Sequence, residues 1–496
     1  MKSTTIAIVG AGFAGICMGI RLKRAGIDDF VICDEGDDVG GTWRDNRYPG
    51  AACDVPSHLY SFSFEPNPEW TRAYANQREI QAYLVHCVDK FQLRPHLRLG
   101  TKVRSATFVE RRGTYVLETD PGGSIHARVL VAACGGLSRP CIPDIAGLDD
   151  FEGTAMHSAR WNPGLSLEGK TVAVIGTGAS AIQIVPAIAP HAARLYVFQR
   201  TPPWILPKPD GPISRWKRRA FRRLPPLQRL ARAAIYWRTE LLAMAFVYLP
   251  GLLTIGERVA ERYLRRSVTD PSLRAKLVPS YSMGCKRILP SNDYYPALQR
   301  PNVDLVVEGI DTVRRQSIVT LDGKERPVDI IVLATGFRAA EQVAPFEISG
   351  REGLRLDEVW RQGAEAYLGT TIHGFPNFFM LVGPNTGLGH SSLVFMIESQ
   401  VHYVLGMIRR MQTSHLRSVE VRRDEQVRYN GDLAARLRKT VWASGCSSWY
   451  LTRDGKNTTL WPGFTFEFWL RTRRFDAQRY ELQSESAANP GPAEGE

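Results

Sequence analysis

The chain has 496 residues, is 44% hydrophobic and 23% charged, and carries a formal net charge of +13, a length that holds roughly three domains with substantial cores. The composition is ordinary for a globular enzyme. A bilayer span is not expected, because the longest charge-free apolar stretch, Leu241–Gly256, is broken by Pro250-Gly251 and falls short of the ~20 residues required.

Eight cysteines, at positions 17, 33, 53, 87, 134, 141, 285 and 446, are scattered without a CxxC pair. No metal site and no dithiol redox motif is therefore expected. Free thiols in a reducing cytoplasm are. Much of the positive excess lies in Arg215–Arg232, RWKRRAFRRLPPLQRLAR, rather than in an aromatic-interleaved groove. This predicts a solvated helical face and no nucleic-acid partner. It leaves room for a weak peripheral membrane contact without stable insertion.

Residues 4–9, TTIAIV, are short, apolar and β-branched, as a buried parallel strand should be. The run leads straight into a glycine turn, so a cleaved leader is not expected there. Gly10 permits the tight turn, Gly12 lets backbone approach a pyrophosphate, and Gly15 lets the following helix pack closely. The helix N-terminus offers free N–H groups to phosphate. A second apolar strand, Phe30–Cys33, ends at Asp34, 19 residues past Gly15, where a carboxylate can hold ribose hydroxyls. Glu35 is a neighbouring candidate, and strand alternation favours Asp34. Next comes GGTWRDNRYPGAACD at 40–54, an irregular loop carrying the large aromatics Trp43 and Tyr48.

Residues 128–137, RVLVAACGGL, read as another buried strand with a glycine end. The connector Phe151–Asn162, FEGTAMHSARWN, precedes a second strand–glycine–helix unit: TVAVI at 171–175, then Gly176, Gly178 and Ala181. The next strand, Leu195–Phe198, ends at Gln199-Arg200-Thr201 with no acid at its tip. An acid there would repel a ribose 2′-phosphate, whereas an arginine favours it, so NADPH is expected rather than NADH. From Pro202 to Met283 no strand pattern stands out, which predicts a helical insertion. DIIVLATG at 329–336 and Phe378–Gly383 are further buried strands. PNTGLGHSS then leads to a helix around Val394–Met411, with His390 expected to cap or hydrogen-bond there.

The arrangement G-G-x-W-x-x-x-x-Y-P-G-x-x-x-D at 40–54 resembles a signature of type I Baeyer–Villiger monooxygenases, a branch of the class B flavoprotein monooxygenases. Phe151-x-Gly153-x-x-x-His157-x-x-x-Trp161 resembles the second fingerprint of that family, with Asn162 where Pro or Asp is usual. The likeness runs from the first strand to about Phe468. It implies an α/β fold of two Rossmann-like dinucleotide-binding domains, for FAD and NADP, with a helical insertion. The expected division is a FAD domain at 1–145 and 341–483, a linker at 146–163, an NADP domain at 164–207 and 284–340, the insertion at 208–283, and a disordered tail at 484–496.

The implied activity is an NADPH- and FAD-dependent insertion of one oxygen atom from O2 beside a ketone carbonyl, giving an ester or lactone through a C4a-peroxyflavin. On that match GCKRILPSNDYYP at 284–296 bears the catalytic Arg287, held by Asp54. Flavin contacts are implied at Gly10, Gly12, Phe13, Gly15, Asp34, Glu35, Gly41, Thr42, Trp43, Asp45, Asp54, Tyr60 and Leu393. For the nicotinamide nucleotide they are Gly176, Thr177, Gly178, Ala179, Ser180, Ala181, Arg200, Thr201 and Lys286. Trp449 joins them from GCSSWYLTRDGKNTTLWPG at 445–463, which resembles the mobile C-terminal region of the family. His157 reads as holding a hinge between the domains rather than as a catalytic base. Flavin enzymes that oxygenate amines or sulfides share both glycine turns and are the alternative. The 40–54 loop and the Lys286-Arg287 segment separate the two.

Overall fold

The computed structural model describes residues 2–338, 346–446, 448–452 and 454–485. Two sheets dominate it. In the first, Lys2–Val9 lies between Phe30–Cys33 and Gly123–Ala132, parallel to both. Ile6, Ala7 and Ile8 have no exposed surface, as expected for a strand covered on both faces. Leu97–Arg98 extends one edge. On the other side Thr114–Asp120 and Lys102–Val109 continue antiparallel, Glu347–Ser349 closes that edge, and Phe378–Met380 pairs with Gly123–Ala132. The late strands, from beyond residue 346, bring the chain back to the sheet where it began.

The second sheet is wholly parallel, in the order Val303–Val306, Arg194–Phe198, Thr171–Ile175, Ile330–Leu333, Thr154–His157. Its edge strand comes from the connector. Thr154–His157 runs beside Ile330–Leu333 with His157 opposite Leu333. The connector at 151–162, expected to hold a hinge between the domains, gives four of its twelve residues to the second sheet, because their backbone groups find partners on an otherwise open edge. His157 is buried. Its Nδ1 accepts from Ala159 N–H at 3.1 Å, which leaves Nε2 to donate to the Gly336 carbonyl at 3.0 Å.

Between Arg194–Phe198 and Val303–Val306 of the second sheet lie Arg215–Arg223, Pro225–Ala243, Leu253–Ser267 and Pro271–Lys276, all helical. The absence of strands expected from Pro202 is broken only by Ile205–Leu206, which pairs with Leu289–Pro290. No single helix among the described residues is long and apolar enough to cross a membrane. Tyr480–Ser484 pairs with Leu416–Val421, so order extends past the expected start of the tail. Residues 486–496 of that tail, and the expected boundary at 340/341, lie outside the described residues.

Candidate active site

Each glycine turn sits at the carboxyl end of a central strand, where a helix begins. Gly10 has φ +111° and Gly176 φ +114°, a region that L side chains rarely adopt. A Cβ on Gly10 would stand 2.6 Å from the Ala133 carbonyl oxygen, and one on Gly176 would stand 2.5 Å from that of Ala334. The two turns are thus built alike against the neighbouring strand. Gly15 packs directly over the carbonyl of Gly10, while Ala181 replaces it in the second unit. Neither the helix Phe13–Arg24, entered at Gly12, nor Ala181–Ile188, entered at Ser180, has a side-chain cap or an acid in its first turn. Their leading N–H groups suit a pyrophosphate. A Cβ on Gly178 would meet nothing within 4 Å, and Ala179 beside it is exposed. These turns fit dinucleotides.

Around the first turn, the 40–54 loop folds back until Gly41 faces Gly12, Cα against Cβ direction at 3.1 Å. Thr42–Asp45 forms a short helical turn. Trp43 Nε1 donates to Tyr60 Oη at 3.1 Å, and Tyr60 packs on Phe13 with ring centroids 5.1 Å apart. Phe13 is itself buried among Phe62 and Tyr83. Asp34 is buried and already receives three donors: Ala11 N–H at 2.7 Å, Gly36 N–H at 2.9 Å and Arg44 Nη1 at 2.5 Å. A carboxylate has about four acceptor positions, so one remains for a ribose hydroxyl. Glu35 points outward, 3.8 Å from Lys102. Asp45 is gripped by Arg44 at 2.7 and 3.1 Å. Sequence reasoning passed over Arg44, although a lone arginine between loop acids was a usable signal.

The same loop docks onto the second unit. The Gln183 amide pairs with the backbone of Ala52, accepting at 3.3 Å and donating at 3.0 Å, and accepts from Tyr48 Oη at 3.1 Å. Gln183 was also missed. A solitary amide in the apolar helix AIQIVPAI is the mark that it left.

At this junction Arg287 Nε and Nη2 both meet Asp54 Oδ2, at 2.7 and 2.6 Å, across 233 residues of sequence. The Asp54 charge lifts the guanidinium pKa above its ordinary value despite burial, with the buried Tyr450 hydroxyl contributing. The cation is permanent. Its neighbour Lys286 sits over the Tyr281 ring at 4.8 Å, and burial together with the charge of Arg200 lowers its pKa. Arg200 and Lys286 are therefore brought together as the resemblance implied, with no acid contributing. Thr177 Oγ1 donates to the Thr201 carbonyl at 3.0 Å, fixing the second turn to its strand tip.

Trp449 is 41% exposed and leans on Tyr450 with centroids 4.5 Å apart, so it is not a core residue. The expectation that all cysteines are free is corrected. Cys285 and Cys446 form a disulfide, Cα atoms 6.3 Å apart, tying the Arg287 segment to the Trp449–Tyr450 segment. Their separation of 161 residues hides the pair from any spacing rule. His390 does not cap: Ser392 Oγ accepts from Val394 N–H at the start of Leu393–Thr413, and Leu393 is the first residue of that helix. The His390 ring is buried with Nε2 3.7 Å from Glu240 Oε1, beyond hydrogen-bond range.

Residues 7–229 match the family described as pyridine nucleotide-disulphide oxidoreductase, a span that excludes both half-cystines. The chain is 49% identical over 479 residues to a Baeyer-Villiger monooxygenase of Pseudomonas aeruginosa, covering 96% of this chain and 91% of the relative. It is 47% identical over 488 residues to a Baeyer-Villiger monooxygenase of Streptomyces coelicolor, covering 98% and 94%. Among solved structures, OTEMO in complex with FAD and NADP superposes with a TM-score of 0.87 at 28% identity, covering 97% of this chain and 99% of that one.

Proposed function

The chain belongs to the Baeyer–Villiger monooxygenase family, and from that premise we propose that its Arg287–Asp54 pair is where a ketone is oxygenated to an ester or lactone. The enzyme is an NADPH- and FAD-dependent monooxygenase. When bound, FAD and NADPH supply the electrons and the activation of O2, chemistry that no side chain provides. The first turn, with Gly10, Gly12 and Gly15, would hold FAD by its pyrophosphate. Asp34 would hold the ribose through its free acceptor position, with Gly41, Thr42, Trp43, Tyr60 and Leu393 shaping the flavin side. The turn at Gly176–Ala181 would take the nicotinamide nucleotide, Arg200 and Lys286 its 2′-phosphate, and Trp449 its nicotinamide end. The 1–145 and 341–483 parts form the FAD domain in this reading, and 164–207 with 284–340 the NADP domain.

Arg287 stabilises negative charge. When a nucleophile adds to the ketone carbon, the carbonyl oxygen becomes an oxyanion, and a fixed guanidinium is suited to meet it. Asp54 takes the Nε and Nη2 hydrogens. Three of the five guanidinium N–H donors are then left for Tyr450 and substrate. Because the pair is short and its arginine pKa is raised, Arg287 orients and neutralises but gives up no proton. The cytoplasm is the proposed location, where reducing conditions would open the Cys285–Cys446 bridge.

The observation that carries the reading is the Arg287–Asp54 contact at the junction of the two dinucleotide units. Incubation with NADPH, O2 and a panel of linear, cyclic, aromatic and steroid ketones, with ester detected by mass spectrometry, tests it. Arg287→Ala is expected to retain FAD and lose ester formation. Normal ester formation by that variant would refute the assignment, and oxygenation of amines or sulfides in place of ketones would refute the substrate class.

A further inference from the structure

The helical insertion carries an apolar surface that the described residues cover only in part, Trp237 leaning on Phe466 and Tyr248 on Phe464. Pro225–Ala243 continues through a π-helical turn, Met244–Tyr248, and a short 3-10 turn, Pro250–Leu252, into Leu253–Ser267. The two helical arms meet at 115°. Leu230, Trp237 and Met244 recur every seven residues along the first arm, a spacing that keeps side chains on one face of a helix, while Leu241 and Ile255 stand on either side of the bend. These side chains are turned outward: Leu230 is 67% exposed, Trp237 56%, Leu241 65% and Ile255 58%. Surface leucines scattered singly need no explanation, but a contiguous exposed apolar face marks a contact surface.

The arrangement of charge around this face says what the contact is. No charged residue lies between Leu241 and Gly256, the stretch that forms the corner. Arg215–Arg238 precede it with nine basic residues and no acid, and Arg258, Arg262, Arg265 and Arg266 follow it. Residues 208–283 hold sixteen Lys or Arg against five Asp or Glu, a net +11 out of +13 for the whole chain. Glu240 and Glu257 are turned onto other partners, and Glu261 offsets only Arg265. Glu240 is buried and accepts from Thr465 N–H and Oγ1 at 2.8 and 2.7 Å; Glu257 accepts from Met283 N–H at 2.8 Å; Glu261 pairs with Arg265 at 3.2 Å. The Glu240 contacts, with Tyr236 Oη at 3.1 Å from Thr465 Oγ1, also pin the arm to the body of the protein, so the corner is presented on a rigid support.

We propose that this corner is a docking surface for an anionic lipid bilayer. The apolar tip enters the interfacial region in-plane while the arginines on either side meet acidic headgroups, the combination that holds monotopic helices at membranes. A second copy of the chain is disfavoured as the occupant, because a symmetric contact would press two strongly basic surfaces together. Neither helix alone is long and apolar enough to span a bilayer, and the oxygenation reading is not needed for the proposal.

The test is sedimentation of the flavin-loaded, full-length protein with vesicles of phosphatidylcholine alone or containing about 30% phosphatidylglycerol, at low and high salt. Binding is expected to the anionic vesicles, at least about ten-fold weaker to neutral ones, and lost near about 0.5 M salt. The triple variant Leu230→Gln, Leu241→Gln, Ile255→Gln is expected to lose about ten-fold or more in binding while keeping its flavin and its Tm. Three results overturn the proposal: wild-type protein that stays in the supernatant with both vesicle types, a triple variant that sediments like wild type, or a wild-type dimer in light scattering that the triple variant dissociates.

Discussion

The two glycine turns have nearly the same backbone and opposite surroundings. Gly10 and Gly176 differ by 3° in φ and press on equivalent carbonyls, and both following helices start uncapped. The difference lies one strand further on. After Phe30–Cys33 the chain places Asp34, whose carboxylate clamps the turn through Ala11 N–H and the loop through Arg44. After Arg194–Phe198 it places Gln199, turned away onto the Lys276 carbonyl at 2.7 Å, and then the exposed Arg200. One tip is an internal fastening with a single acceptor to spare. The other is an open cationic ledge. In the proposed reading the turn would hold a dinucleotide, and the strand tip would set how tightly it is held and which one it is.

The largest expected effects come from breaking the shared geometry. Gly10→Ala and Gly176→Ala each force a Cβ against a backbone oxygen in a φ region costing about 1–3 kcal/mol before the clash is counted. Gly10→Ala should purify without flavin and with a lower Tm. Gly176→Ala should remain yellow, with flavin reduction by NADPH slowed by about 100-fold or more. Flavin absorbance and stopped-flow reduction distinguish the two. If Gly176→Ala also lost its flavin, the two sites would not be independent.

Next in size is the exchange of the tips. Asp34→Asn takes from the buried Arg44 one of its two carboxylate partners, Asp45 remaining, a loss of about 1.5–3 kcal/mol for a hydrogen bond to a charged group, read as a fall in Tm with or without added FAD. Arg200→Asp should leave Tm unchanged, since the side chain is exposed. It should lower kcat/KM for NADPH by about ten- to a hundred-fold, the worth of a charge-assisted phosphate contact, with little change for NADH. An unaltered coenzyme preference would remove Arg200, and the electrostatic argument with it, from the 2′-phosphate site.

How much of this was legible in the sequence follows from how local each signal is. The turns, the strand ahead of each and the tip residue lie within about thirty residues, and physical rules of strand, turn and helix connect them. Contacts closed by the fold are different. Gln183 docking on Ala52, Cys285 bonding Cys446, and Tyr450 reaching Arg287 join segments more than 100 residues apart, and no periodicity encodes them. The Arg287–Asp54 pair shares that property and was reached only through the resemblance of the two segments to a family. The strand within the connector was hidden for another reason. TAMH is four residues long, and whether so short a run is a linker or an edge strand depends on the open edge beside it.

The smallest expected effect concerns that edge strand, a feature by which the second unit differs from the first. His157 is held neutral: Nδ1 accepts from Ala159 and Nε2 donates to Gly336, and burial lowers its pKa against the opposing pull of the Gly336 carbonyl. Protonation of Nδ1 would break the first of these bonds. Because the folded pKa lies below the unfolded value of about 6.5, the stability that the neutral ring contributes is complete above that value and is lost as pH falls through the folded one. His157→Gln keeps an acceptor and a donor but cannot titrate. Its Tm should therefore fall less than that of wild type on going from about pH 7 to about pH 5, by an amount corresponding to one hydrogen bond, roughly 0.5–1.5 kcal/mol. Turnover should slow by a few-fold with the ester product unchanged. If instead flavin reduction stayed intact while hydrogen peroxide replaced the ester, His157 would act at the reacting centre, and the second unit would differ from the first in its chemistry as well as in its edge.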